Sequence, residues 1–184
     1  KSDGTEAGTS MVLDLAPDET TTTAITYYSA VLNNQLYFNF LHPLTGTDLW
    51  STDGTPSGTQ MVKDIVPISG NGEITEIVTA NGLLFFRASA FDSGQELWKS
   101  DGTSDGTVLV SDLVAGINGS VPGGMRVFDD KVYFSAFVGA LGQELYVTDG
   151  TSIQLVKEIR PGSGSTSILL YGSVNNVLLF QAND

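Results

Sequence analysis

The sequence has no cysteine, which removes disulfides, thiolate metal sites and cysteine nucleophiles together and leaves the redox compartment unmarked. It has one histidine, His42, too few for a multi-histidine metal site, and a Ser-His-acid triad would depend on that residue alone. His42 lies beside a proline in "FLHPLTG" and reads as an ordinary loop histidine. Lysine and arginine together number 8 against 21 acids, for a net charge of −13 and a pI near 4.1. Phosphate binding needs clustered cations, so no nucleic-acid partner is expected, and an acidic surface repels anionic lipid. No apolar run reaches the roughly 18 residues of a membrane span, so no membrane insertion is expected. The opening "KSDGTEAGTS" lacks the apolar core of a signal peptide. Sustained helical periodicity is missing as well.

What is present is repetition, and an internal period decides the fold before any single element does. "DGT" begins at Asp3, Asp53, Asp101 and Asp149, spaced 50, 48 and 48 residues apart. "SDGTEAGTSMVLDL", "TDGTPSGTQMVKDI" and "SDGTSDGTVLVSDL" align without gaps, and "TDGTSIQLVKEI" aligns after losing two residues. A two-residue turn recurs at Asn33-Asn34, Asn81-Gly82, Asp129-Asp130 and Asn175-Asn176. Each turn precedes an aromatic-rich run, "QLYFNF", "LLFFRA", "KVYFSA" or "VLLFQA", and three units then close on "GTDLW", "GQELW" or "GQELY". The units run approximately 3–52, 53–100, 101–148 and 149–184, the last incomplete.

Each segment predicts a strand. Asn, Asp and Gly tolerate the positive φ that both central residues of a type I′ turn require, so "EIVTA" and "LLFFRAS" form a hairpin. "ELWKS" is then a third strand and "TVLVSDL" a fourth. Four antiparallel strands in about 48 residues is the arithmetic of a β-propeller blade, and the expected class is an all-β, propeller-like array of four-stranded antiparallel blades. Runs such as "LLFF" are apolar on both faces, as a sheet sandwiched between neighbours requires. Trp50, Trp98 and Tyr146 recur at one position of the third strand and read as blade-core aromatics.

"ELWKSDGTSDGTVLVSDL" and its partners resemble the bacterial ELWxxDGT repeat family over nearly the whole chain. The resemblance implies an extracellular or cell-surface, multi-repeat, propeller-like module, and brings no catalytic residues to carry over. The chain departs from the pattern in three places. Tyr146 replaces the tryptophan, Phe40 stands where Ala88, Ala136 and Ala182 stand in other copies, and the fourth copy lacks the second Gly-Thr.

The acidic loops admit two readings, turn or cation site. In the turn reading Asp3, Asp53, Asp101 and Asp149 accept backbone N–H groups two residues on, Gly102 and Gly106 supply positive φ, and Thr103 and Thr107 cap the returning strand. This arrangement is similar to the structural Asp-box of sialidase-type propellers. Calcium needs six to eight oxygens, while "DGTPSGT" offers Asp53 alone. No cofactor is expected, calcium being the disfavoured alternative, and a metal would have to borrow acids such as Asp112 or Glu96. Eleven of the 21 acids occupy repeat positions, a poor source of the asymmetric carboxylate pair that glycoside hydrolysis needs. Asp18, Glu19, Glu73, Glu76 and Asp92 fall outside the repeat, mostly in expected loops.

The expected function is therefore a non-enzymatic structural or adhesive module of a secreted or cell-surface protein. Its partners are other repeats of the same or a second chain, with glycans or surface proteins as further candidates. A carbohydrate-binding propeller is the alternative, with Tyr27, Tyr28, Phe91 and Phe137 as stacking residues because they lie off the repeat positions. A hydrolase or lyase stands a distant third, with no catalytic residue to nominate. The units are expected to belong to a longer array, with a "GxELW" strand following Asp184.

Overall fold

A computed structural model describes residues 1–15, 28–42, 45–67, 72–162 and 167–183. The chain is all-β: fourteen strands in four antiparallel sheets, with one 3₁₀ turn at Gly139–Leu141 as the only helix among the described residues. The first sheet holds β1 (Ser29–Leu32), β2 (Gln35–His42), β3 (Gly46–Thr52) and β4 (Gln60–Lys63) in that order. The second holds β5 (Thr75–Ala80), β6 (Leu83–Ala90), β7 (Gly94–Ser100) and β8 (Val108–Leu109). The third holds β9 (Gly123–Phe128), β10 (Lys131–Phe137), β11 (Gln143–Thr148) and β12 (Ile153–Lys157), and the fourth pairs β13 (Ile168–Val174) with β14 (Val177–Ala182).

The first two strands of every sheet are joined by the two-residue turns, and φ is positive at both central positions in all four, between 50° and 70°. Asn, Asp and Gly carry the smallest cost there, which sets the hairpin register. First strands adjoin in succession, β1 beside β5, β5 beside β9 and β9 beside β13.

The second strands show why these runs are apolar on both sides. Side chains alternate across a strand. Leu84, Phe86 and Ala88 therefore pack with Leu32, Tyr37 and Leu49 of the first sheet, while Phe85 packs with Val132, Phe134 and Ala136 of the third. Leu84, Phe85, Phe86 and Ala88 are all fully buried. Burying one such aromatic stabilises by about 1.5–3 kcal/mol, so the core of this chain lies between sheets rather than inside any one of them.

Three expectations about elements need correction. The fourth strand is short, β8 covering only Val108–Leu109 where a run through Leu113 was predicted. In the first and third sheets a bulge interrupts the ladder to the outer strand: Trp50 pairs with Met61 but Leu49 with Lys63, and Tyr146 pairs with Leu155 but Leu145 with Lys157. One extra residue of this kind leaves the ladder locally unpaired and raises the local twist. His42 is the last residue of β2 rather than a loop residue, its ring stacked on Trp50 at 6.4 Å. Likewise Glu76 lies within β5.

Candidate functional site

The acidic loops at Asp53, Asp101 and Asp149 connect third to fourth strands, while the Asp3 loop lies ahead of the first strand. In the third copy the Asp101 carboxylate accepts the Thr103 N–H (2.9 Å) and the Thr103 hydroxyl (2.7 Å). The Gly106 N–H donates to Thr103 Oγ1 (2.9 Å), and the Thr107 hydroxyl donates to the Thr103 carbonyl (2.6 Å). The same four bonds recur around Asp3 and Asp53. In the fourth copy, without the second Gly-Thr, the Thr151 N–H still reaches Asp149 (2.8 Å). The threonine hydroxyls, then the backbone N–H groups, hold the Asp3, Asp53 and Asp101 carboxyls below the usual range. For Asp149 the Thr151 N–H is the main cause.

The two glycines of the motif do different jobs. Gly4, Gly54, Gly102 and Gly150 take φ between 86° and 95°, which only glycine adopts without cost. Gly106 does not, contrary to the expectation above. A Cβ there would stand 2.0 Å from Asp101 Oδ1, and the same approach closes on Gly8 and Gly58. Glycine is needed at that position to let the carboxylate lie against the chain.

The acids of the third strands are turned inward. Glu96 is fully buried and accepts the Val114 N–H (3.1 Å), the Ser120 N–H (2.8 Å) and the Ser120 hydroxyl. Glu144 accepts the Ile159 N–H (2.8 Å) and Arg160 N–H (3.2 Å), and Asp48 the Ile65 N–H (3.1 Å). Each acid fastens the connection that leads to the next sheet. Burial pushes the Asp48 and Glu96 carboxyls upward, opposed by these donors. Among the described residues no group of three or more Asp, Glu or His is arranged to hold a metal ion.

The recurring aromatic position is occupied unevenly. Tyr146 is buried between the second and third sheets and stacks on Phe134 at 6.1 Å. Trp98 is half-buried against the cluster between the first and second sheets. Trp50 is half-buried and meets Phe40 edge-on at 5.6 Å, so Phe40 fills the space that alanine leaves in other copies. The indole N–H groups of Trp50 and Trp98 and the Tyr146 hydroxyl are buried without a hydrogen-bond partner. These rings are therefore held by packing.

The predicted stacking aromatics do not share one site. Tyr27 lies outside the described residues. Tyr28 precedes β1, Phe91 begins the β6–β7 turn and Phe137 ends β10, on three different sheets, and all three are exposed. Phe91 lines a cleft of about 550 Å³ together with Pro67, Asp92, Ser93, Trp98 and Asp112. The cleft runs between the second sheet and the chain leaving the first.

No family model matches the chain, and no curated protein matches it. Among solved structures, the computationally designed Ika4 protein is similar over 93% of this chain and 98% of its own, with 16% identity and a TM-score of 0.46. The computationally designed Ika8 protein is similar over 84% of this chain and 45% of its own, with 13% identity and a TM-score of 0.43. A mutant puromycin hydrolase complexed with PGG matches 85% of this chain and 25% of its own, with 10% identity and a TM-score of 0.52. At that identity the likeness concerns the fold alone.

Proposed function

We propose that the chain is a non-enzymatic structural or adhesive module of an extracellular or cell-surface protein, its sheets arranged as the blades of a propeller-like array. One observation carries this reading: the recurring acids of the loops and of the third strands accept internal hydrogen bonds, and the recurring aromatics pack against neighbouring side chains. A catalytic carboxylate needs an open approach to substrate and an environment unlike its partner's. Here Asp48, Glu96 and Glu144 are each fully buried. The propeller reading is supported by the order of strands within three four-stranded sheets and by the succession of adjoining first strands. The likeness to ELWxxDGT repeats supports the extracellular setting.

The test is to display the chain on the surface of a non-adherent bacterium and measure retention on coated surfaces under flow, alongside the purified chain on chromogenic glycoside and ester substrates. Increased retention with silent hydrolase assays is expected. Turnover that survives repurification, or retention equal to that of undecorated cells, overturns the proposal.

A further inference from the structure

We propose that the cleft beside Trp98 is a binding site for a neutral oligosaccharide. The first argument comes from where the repeat breaks. Phe91 and Asp92 stand at positions held by Pro43 and Leu44 in the first unit and by Gly139 and Ala140 in the third. The fold therefore does not require this pair, and Phe91 is 71% exposed at the tip of a turn. Phe91 lines a cleft, which separates it from an apolar residue scattered singly on the surface.

The second argument is chemical complementarity. Phe91 and the half-buried Trp98 offer aromatic surface to the C–H faces of a pyranose. The exposed carboxylates of Asp92 and Asp112 lie on the same cleft to accept hydroxyl donors, and the buried Ser93 forms part of its wall. An apolar wall with a few polar groups is the usual make-up of a small-molecule site, and about 550 Å³ is within the range of such sites. Among the described residues no lysine, arginine or histidine lines the cleft. With two carboxylates there and −13 on the chain, uronic, sialylated and sulfated sugars are repelled, which leaves neutral ones. The volume is too large for a lone quaternary ammonium ion, the other ligand that aromatics and carboxylates attract.

The test is a printed array of neutral glucose-, mannose- and galactose-based oligosaccharides, followed by calorimetric titration of the strongest hit, in calcium and in chelator. Expected is saturable binding unaffected by chelator, weakened about ten-fold or more by Phe91→Ala, about 1.4 kcal/mol, and weakened by Asp112→Asn, with unchanged melting of both variants. Phe137→Ala, on another sheet, is expected to bind as the unaltered chain does. A blank array, equal loss in Phe137→Ala, no loss in Phe91→Ala, binding abolished by chelator, or capture of tetramethylammonium in place of sugar would each overturn the proposal.

Discussion

Glu96 offers the sharpest test of how the sheets are joined. Replacing it by alanine strands two backbone N–H groups, of Val114 and Ser120, and the Ser120 hydroxyl. A buried donor left unpaired costs about 1–3 kcal/mol, and water entering the opened connection returns part of it, so the loss is put at about 4 kcal/mol. For a chain of this size that is roughly 8–16 °C in melting temperature. Glu96→Gln behaves differently. Its amide oxygen accepts both N–H groups and its NH₂ donates to a rotated Ser120 hydroxyl, so stability at neutral pH stays within about 1 kcal/mol of the original. Burial raises the Glu96 carboxyl above its ordinary 4.5, so the folded state holds its proton to higher pH than the unfolded chain does. Stability then falls as pH rises through that window, and the glutamine variant flattens the slope. Urea unfolding followed by fluorescence reads all three chains. Alanine unfolding at the same midpoint as the original would refute the anchoring role. Glutamine as damaging as alanine would show that charge, not donor satisfaction, is what matters.

Three further outcomes follow from the same geometry. The whole chain is expected to be most stable between about pH 4 and 5. Below the ordinary 3.8 the lowered Asp3, Asp53 and Asp101 carboxyls lose their contribution as they protonate, and above it the raised Asp48 and Glu96 carboxyls lose theirs as they ionise; melting temperatures rising steadily to neutrality would contradict this. Gly106→Ala is expected to cost about 1–3 kcal/mol by overpacking, because its Cβ would stand 2.0 Å from Asp101 Oδ1. If that clash is the cause, Asp101→Ala rescues it in a double-mutant cycle, and strict additivity refutes it. Trp98→Ala is expected to lose about 3 kcal/mol, the lower end for a large aromatic because the ring is half-buried; unchanged melting would remove the ring from the core.

Repetition made much of this legible in advance, because a residue type required four times at one spacing reports a local physical demand. The turn pairs from Asn33-Asn34 to Asn175-Asn176 announced positive φ, and the observed angles have that sign at every position. The double-sided apolar runs announced sheets packed on both faces, as Phe85 and Phe86 are. The partner of Glu96 was not legible, since the donors of Val114 and Ser120 lie 18 and 24 residues on and carry no side-chain signature of their own in the first case. A buried acid directly before Leu-Trp was the available clue. Nor did the motif distinguish a glycine needed for φ from one needed for close approach, because Gly102 and Gly106 differ only in what surrounds them. The bulges in two outer strands were hidden for a similar reason: Val62 and Val156 look like ladder residues until their partners are counted. A period also conceals what happens where it fails. Phe91 and Asp92 could be picked out only as departures from the period, and that Phe91 lines a cleft with Pro67, on the chain leaving the first sheet, was not legible. The cleft joins that unrepeated pair to two repeat positions, Trp98 and Asp112, so the departure from the period adds to what the repeat supplies.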